Sequence, residues 1–326
     1  MGRENYDVIR EKFHAYLECL RTRNTDHLEN LVTDEVKVYL STVAAYPDGS
    51  QHSLYGIRDF IRDQPPTDGY YYTVCNYVCH VEGARAQQSA SVVFHVYKNE
   101  GKGFRYFDFT QMYTNTWEKL EDGWKMTTIR MDLMNHTGDY KEFEDCWFYE
   151  EPKAKWFPGV HLPCISGELD NPWHVIPESQ EELTEEEKIL AAMACYAYGI
   201  DTVSFDNLPK ALSEEIVVNM QPWGTMDYRL FIATLKYHRQ PDRYWTHPVK
   251  LDRCEIHGDT ADLYLYRMSG HAQRKHPLVY TNENKDHAFA CARYEIQLRK
   301  EAGAWKLTRM DYLLGLIDLG AFPESK

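Results

Sequence analysis

The sequence lacks any long uncharged apolar run, and no charged segment followed by an apolar leader stands near its start. A transmembrane helix needs about 20 consecutive apolar residues, and a secretory signal needs an apolar stretch behind a basic one. The sequence therefore predicts no membrane span and no secretory leader, and we expect a cytoplasmic protein that does not act at a membrane.

Excess positive charge and metal-spaced cysteines are also missing. Lys and Arg number 36 against 50 Asp and Glu, a formal net charge of −14, which argues against nucleic acid as a partner. The eight cysteines lack the paired spacing of a metal site. We expect buried, reduced thiols, and the sequence predicts neither a metal nor an organic cofactor.

Aromatic residues are plentiful by contrast. They make up 14% of the chain, including 24 tyrosines, which suits a cavity that binds a ring-shaped apolar ligand. A hydrophobic small molecule is therefore the expected partner. The length of 326 residues allows about two domains of ordinary size.

The two halves of the chain show the same order of predicted elements. The first half opens with an amphipathic helix over 5–23, and the second opens with a capping box at 184–187 and a helix over 185–199. Further shared landmarks are Gly83 and Gly258 at a turn, the pairs Tyr113/Trp124 and Tyr294/Trp305, each eleven apart, and Arg-Met-Asp at 130–132 and 309–311. This order predicts two copies of a three-helix α+β unit.

The predicted organisation is a first domain over 1–138, a connecting strap over 139–182 and a second domain over 183–326. The strap holds five prolines and eight aromatic residues, too many aromatics for a flexible linker. It is expected either to pack across the two domains or, in part, to cover a pocket.

One histidine stands on the apolar side of a predicted strand in the second half. His247, Val249 and Leu251 share a face by the two-residue period of a strand, ahead of a hairpin turn at Gly258-Asp259. An inward histidine is either a general base in a cavity or a satisfied core residue, and the pattern alone leaves both readings open.

The order of helix, Asp-containing break, short helix, strand, helix and curved sheet resembles the SnoaL-like branch of the nuclear transport factor 2-like superfamily. The resemblance covers nearly all of both halves. It implies an α+β fold with two tandem cone-shaped domains, each a curved antiparallel sheet with three helices around an apolar cavity. Since such domains usually pair through their sheets, it also implies an internal pseudo-dimer; further association between chains is left open.

The second copy is similar to scytalone dehydratase and bile-acid dehydratase. The resemblance implies a catalytic Tyr and Asp at the end of the first helix, here Tyr196 and Asp201, and a His on the strand before the turn, here His247. It implies a second histidine at His271. In the first copy, Arg21 and Tyr72 stand where the Asp and His are expected, so we expect one active half and one supporting half.

These residue types suit elimination of water β to a carbonyl, which needs no cofactor. A histidine with an ordinary pKa of ~6.5 can take the α-proton. Asp201 would orient it and Tyr196 would donate a hydrogen bond; the structural alternative for Asp201 is a helix cap. Positions five apart on a helix differ by roughly 140°, so Tyr196 and Asp201 converge only if the helix ends near Gly199. Otherwise Tyr198 is the better partner of Asp201.

The expected substrate-binding residues are Tyr198, Trp223, Tyr264, Arg309 and Asp311. Arg309 and Asp311 are predicted to share a strand face with Trp305 and Leu307, and the pair resembles part of the limonene epoxide hydrolase site; a structural ion pair is the alternative. The main hypothesis is a lyase of the dehydratase type. An isomerase using the same proton abstraction, a small-molecule binding or scaffold protein, and water addition through Arg309 and Asp311 are the alternatives.

Overall fold

In the computed structural model, the chain forms two curved sheets, each with its own helices. The structure describes residues 3–40, 52–64, 66–139, 162–180, 182–238, 246–268 and 280–322.

The first copy forms a five-stranded sheet in the order β1-β5-β4-β3-β2. β1 runs parallel to β5, and the other neighbours are antiparallel. Its elements are α1 (Glu4–Thr22), a 3₁₀ turn (Leu28–Asn30), β1 (Val32–Leu40), α2 (Leu54–Arg62), β2 (Gly69–Glu82), β3 (Arg85–Glu100), β4 (Gly103–Leu120) and β5 (Gly123–Gly138).

The second copy repeats this plan with one additional short strand, in the order β7-β6-β11-β10-β9-β8. A segment with two short helices, α3 (Leu162–Leu169) and α4 (Pro172–Val175), precedes it. Its elements are α5 (Glu185–Asp201), a 3₁₀ turn (Phe205–Asn207), α6 (Leu208–Ala211), β6 (Leu212–Met220), β7 (Gly224–Met226), α7 (Tyr228–His238), β8 (Val249–His257), β9 (Thr260–Arg267), β10 (His287–Glu301) and β11 (Ala304–Ala321). The prediction of two α+β units is confirmed.

The helix α5 begins where the sequence predicts and ends later. Thr184 and Glu187 form the capping box, with each side chain bonded to the backbone of the other. The helix runs past Gly199 to Asp201, so the expected end near Gly199 is wrong. A Cβ at Gly199 would lie 3.0 Å from Asn207 Cβ and 3.1 Å from Ser204 O. The glycine therefore serves close packing inside the helix.

A β-bulge in β11 changes which side chains face the core. Leu307 pairs with Leu298 and Arg309 pairs with Gln297, so Thr308 is an extra residue. One extra residue inverts the alternation of a strand. Trp305 and Leu307 are buried whereas the next buried positions are Met310 and Tyr312.

The expectation that Arg309 and Asp311 share a face with Trp305 and Leu307 is therefore wrong. Arg309 Nε donates to Asp311 Oδ2 over 2.7 Å, and their side chains are 46% and 23% exposed. The pair lies on the outer side of the sheet.

The two copies pack on each other through polar contacts as well as apolar ones. Asn76 Nδ2 donates to the carbonyl of His247 over 2.8 Å, and Asn135 Nδ2 donates to Thr246 Oγ1 over 2.6 Å. A buried apolar cluster joins Cys75 of the first copy to residues of the second copy. The chain thus forms the internal pseudo-dimer implied by the resemblance.

The described part of the strap contacts both copies. Gln87 of β3 donates to the carbonyl of Asp170 over 2.7 Å, and His80 of β2 lies 2.7 Å from the carbonyl of Ile176. On the other side Tyr198 of α5 donates to the carbonyl of Ser166 over 3.0 Å. The aromatic residues at 143–157, which the sequence suggests as a pocket cover, lie outside the described residues.

Among the described residues, no helix is long and apolar enough to cross a membrane. Six cysteines whose side chains the structure describes are not joined in disulfides, and five of them are buried.

Candidate active site

A buried His–Asp pair lies at the centre of the second copy. His247 Nδ1 is 2.6 Å from Asp201 Oδ1, and the backbone N–H of His247 donates to Asp201 Oδ2 over 2.8 Å. His247 is 7% exposed and Asp201 2%. Because an ionised carboxylate only accepts hydrogen bonds, the neutral ring carries its proton on Nδ1 and its basic lone pair on Nε2.

Two local features bring the pair together. Asp201 is the last residue of α5, so its side chain leaves the helix where the backbone turns. His247 lies in the short segment before β8, kept out of helical geometry by Pro248. The Tyr196 ring meets the His247 ring edge to face at 6.3 Å between centroids, and Tyr196 is fully buried.

A pocket opens beside His247. It has a volume of about 520 Å³, a figure that includes space open to solvent. Its wall is largely apolar, and three polar side chains on it lie close together, those of Arg267, Tyr294 and Tyr312. The lining residues are Ile200, Met220, Trp223, Thr234, Leu235, His238, His247, Arg267, Tyr294 and Tyr312.

The polar cluster on the pocket wall is built around Arg267, which is 2% exposed. Its Nε and Nη2 donate to the carbonyl of Thr246 over 2.9 and 2.6 Å. Its Nη1 donates to the hydroxyl of Tyr312 over 2.8 Å. Arg267 therefore holds the residue before His247 in place and also faces the pocket.

Two tyrosines complete this cluster. The Tyr294 and Tyr312 rings lie 4.9 Å apart. Burial raises the pKa of Tyr294 well above its ordinary value, and burial also raises the pKa of Tyr312, although Arg267 works against it. Both phenols are therefore neutral hydrogen-bond donors at physiological pH.

The first copy has different side chains at the matching strand positions. Val92 of β3 pairs with Gln111, and Arg267 of β9 pairs with Ala292. These pairs occupy equivalent positions in the two sheets, so Val92 corresponds to Arg267. The Arg21 side chain binds Glu18, and the Tyr72 hydroxyl donates to Glu18 over 2.7 Å. Aromatic rings, among them Phe94 and Phe109 stacked at 4.7 Å, fill this core. The first copy therefore has no His–Asp pair at this place.

The SnoaL-like domain model matches the chain twice, over residues 3–130 and 181–311. The chain belongs to the SnoaL-like domain family. The tandem membership that the sequence predicts is thereby confirmed, and each match falls on one of the two sheets.

Several solved structures are similar to part of this chain. A Kribbella flavida protein covers 41% of this chain and 93% of its own, with 16% identity and a TM-score of 0.37. A type 2 hexachlorocyclohexane dehydrochlorinase covers 41% and 93%, with 13% identity and a TM-score of 0.31. The CaMKII hub of S. rosetta covers 39% and 95%, with 16% identity and a TM-score of 0.30. No curated protein matches the sequence.

The structure places the predicted site residues of this SnoaL-like chain in different surroundings. His247 and Asp201 form the buried pair, Tyr196 packs against the His247 ring, and Trp223 lies on the pocket wall. His271 lies outside the described residues.

Three other expectations do not hold. Tyr198 points to the opposite side of α5, where it packs with Met112 and Met134 of the first copy. Tyr264 lies on the outer face of β9, beneath the guanidinium of Arg253 at 4.1 Å, because the inward positions of that strand are its alternate residues. Arg309 and Asp311 also face outward, owing to the bulge described above.

Arg267, Tyr294 and Tyr312 were not predicted as site residues. A signal for Arg267 is present in the sequence, since Leu263, Leu265 and Arg267 alternate along one strand face. A charged residue on an apolar strand face is buried only when it has partners. The two tyrosines resemble ordinary core aromatics in the sequence, and only the fold brings them to the pocket.

Two other titratable groupings lie apart from this pocket. His95 Nδ1 lies 2.5 Å from Asp108 Oδ1 and its Nε2 lies 2.6 Å from the carbonyl of Lys285, so both ring nitrogens are engaged by acceptors. Among the described residues, Glu255, His257 and Asp262 could offer ligand atoms within 4.8 Å of one another. None of these three lines the pocket.

Proposed function

We propose that the second copy is a cofactor-independent lyase of the dehydratase type, which acts on a ring-containing hydrophobic carbonyl compound. The observation that carries the proposal is the buried Asp201–His247 pair on a largely apolar pocket. A carboxylate that fixes the tautomer of a histidine is a common arrangement for a general base. The Kribbella and dehydrochlorinase structures add nothing to this assignment.

In the proposed reaction, Nε2 of His247 removes the hydrogen on the carbon next to the carbonyl. The electron pair of the C–H bond forms a carbon–carbon double bond, and the carbonyl π pair moves onto oxygen. The Asp201 carboxylate stabilises the imidazolium that results. The imidazolium then returns the proton to the departing β-hydroxyl, which leaves as water while the carbonyl re-forms.

An isomerase would use the same first step and return the proton to another carbon. Water addition through Arg309 and Asp311 is not supported, because the pair lies outside the pocket with its side chains bound to each other. A binding or scaffold protein would need no His–Asp pair beside its pocket.

The test is to incubate the protein in D₂O with a panel of cyclic ketones and cyclic β-hydroxy-ketones and to follow mass by mass spectrometry. We expect loss of one water from β-hydroxy-ketones and gain of deuterium next to the carbonyl of the simple ketones. His247→Asn should lower both rates by about 10²–10⁴-fold, the usual contribution of a positioned base.

The matched control is His95→Asn, which alters the other buried His–Asp pair and should leave both rates unchanged. Exchange without water loss would favour the isomerase. Tight binding of a panel member without either reaction, unchanged in His247→Asn, would refute the lyase and favour the binding protein.

A further inference from the structure

Arg267 is a buried cation whose hydrogen-bond partners are neutral. Its guanidinium donates to the carbonyl of Thr246 and to the hydroxyl of Tyr312. A guanidinium stays charged in proteins and has five N–H donors. Among the described residues, three of these donors are used in the contacts above, so two N–H groups of a charged side chain that lines the pocket face no described partner and can bind a ligand.

The Tyr312 hydroxyl is oriented by this contact. Because its oxygen accepts a hydrogen bond from Arg267 Nη1 over 2.8 Å, its own proton is available to donate. Tyr312 is 5% exposed and lines the same pocket. The guanidinium and the phenol therefore present donors together.

Tyr294 provides an independent observation. Its side chain is fully buried on the pocket wall, and its hydroxyl has no hydrogen-bond partner in the described chain. A buried hydroxyl without a partner is costly and uncommon. A ligand oxygen in the pocket would satisfy it.

The first copy shows what an ordinary core tyrosine does at this position. Tyr113, which corresponds to Tyr294, donates to Gln111 Oε1 over 2.7 Å. The residue two before Tyr294 is Ala292, which offers no side-chain acceptor. The second copy thus keeps the phenol and lacks the acceptor.

The formal charges around the pocket fit a reaction that creates an anion. With neutral His247, the charges of Asp201 and Arg267 cancel. Transfer of a proton to His247 leaves one additional positive charge near the pocket. An oxygen that becomes negative in the same step would restore the balance.

We propose that Arg267, Tyr294 and Tyr312 form an oxyanion subsite for the carbonyl oxygen of the substrate as proton abstraction turns it into an enolate. The substrate class that follows is a neutral carbonyl compound with a hydrogen on the adjacent carbon. The inference rests on the proposed function, because His247 is the group that takes the proton.

The subsite can be tested without the natural substrate, because the oxygen of a phenolate resembles that of an enolate. We would measure the dissociation constants of 4-nitrophenol and of 4-nitrotoluene, which has no hydroxyl, by titration at pH 7. The full chain should bind 4-nitrophenol at least about tenfold more tightly. Its absorption should be that of the phenolate even below the solution pKa of the phenol.

Arg267→Met should weaken 4-nitrophenol binding by about tenfold or more and leave 4-nitrotoluene unaffected. Because Arg267 also holds Thr246, this variant could lose its fold. Tyr294→Phe keeps the test decisive, since the hydroxyl that it removes has no partner in the described chain. It should keep or raise the unfolding temperature while weakening phenolate binding several-fold.

Tyr113→Phe is the matched control. It should lower the unfolding temperature by about 2–4 °C, because Gln111 loses its donor, and should leave phenolate binding unchanged. Equal binding of the two probes by the full chain, or unchanged phenolate binding in Tyr294→Phe, would refute the subsite.

The two proposals fail separately. Phenolate binding does not need His247 as a base, so His247→Asn should still bind 4-nitrophenol. If deuterium exchange is absent but phenolate binding depends on Tyr294, the lyase is refuted and the subsite stands. If exchange depends on His247 but phenolate binding does not change in Tyr294→Phe, the subsite is refuted and the lyase stands.

Discussion

At the scale of single residues, the carboxylate of Asp201 determines the orientation and the tautomer of His247. Both oxygens of Asp201 are used, one by the ring Nδ1 and one by the backbone N–H of the same histidine. The ring is therefore fixed in orientation and in tautomer. A histidine held in this way is a base at Nε2 rather than at Nδ1.

We predict that Asp201→Asn reverses the tautomer. An amide N–H₂ facing Nδ1 would need a lone pair there, which moves the ring proton to Nε2. Nitrogen-15 NMR of the imidazole should then show Nε2 protonated in the variant and Nδ1 protonated in the parent chain. The rate of deuterium exchange should fall by about 10²–10⁴-fold.

Asp108→Asn is the control for this measurement, because it should change only the signals of His95. An unchanged His247 spectrum in Asp201→Asn would contradict the assigned tautomer. The resemblance to the dehydratases offered Asp201 and His247 as candidates, but it could not supply the two distances between them.

At the scale of elements, the bulges determine which residues of the last strands face the cone. Thr127 in β5 and Thr308 in β11 are the extra residues. By strand pairing, Arg309 occupies the position that Thr128 occupies in the first copy. The Arg-Met-Asp tripeptide of β11 therefore stands two strand positions before the one in β5. The offset is present in the sequence, since Arg130 stands six residues after Trp124 and Arg309 four residues after Trp305, but only the strand pairing shows where each bulge lies.

The side chains that surround the two tripeptides also differ. In β5, Asp132 is 1% exposed and accepts from Ser166 Oγ over 2.5 Å, and Arg130 pairs with Asp170. Burial raises the pKa of Asp132 to about 7, although Ser166 and Arg130 oppose the shift. In β11, the hydrogen bond from Arg309 lowers the pKa of Asp311, which remains partly exposed.

These pKa shifts predict opposite pH dependences of stability. The folded chain keeps the Asp132 proton up to about pH 7, whereas the unfolded chain loses it near pH 4. The free energy of unfolding should therefore fall as pH rises from about 4 to 7, by up to roughly 4 kcal/mol. Asp132→Asn should remove this decline and stabilise the protein at pH 8 relative to the parent.

Asp311→Asn is the comparison. Its stabilising contribution is present above the ordinary carboxyl pKa and is lost as pH falls, so this variant should be destabilised near neutral pH and not in acid. The measurement is urea denaturation at pH 2 to 8, taken as the difference from the parent chain, because the Asp311 contribution is lost only below its ordinary carboxyl pKa. A difference for Asp132→Asn that does not change with pH would contradict its assigned protonation.

At the scale of the whole molecule, the first copy holds the segment of the second copy that carries His247. Asn76 contacts the carbonyl of His247, and its Oδ1 accepts from the N–H of Val249 over 3.3 Å. Asn135 binds Thr246. The first copy has no His–Asp pair at the matching place and supports the pair in the second copy.

We predict that Asn76→Gly lowers the deuterium exchange rate by about tenfold through loss of His247 positioning. Glycine is chosen because Asn76 has a φ of 52°, which glycine adopts without strain. The fold should persist, and hydrogen exchange should increase at Thr246–Val249.

Asn99→Ala is the matched control, because Asn99 also bridges the copies, through Lys285 at 2.6 Å, but lies away from the pocket. An unchanged exchange rate in Asn76→Gly would show that the first copy does not position His247.

The sequence by itself determined the duplicated α+β units and the capped start of α5, and its resemblance to the dehydratases offered the candidate pair Asp201 and His247. The units and the cap depend on periodicity and capping, and the pair on matched positions along the chain, all of which can be read locally. The tertiary structure decided that Arg267, Tyr294 and Tyr312 meet at the pocket, that Tyr198 and Tyr264 do not, and that Asn76 reaches across from the other copy. These contacts join residues far apart in the chain, and a single bulge or the packing of two sheets determines them, so no local pattern encodes them.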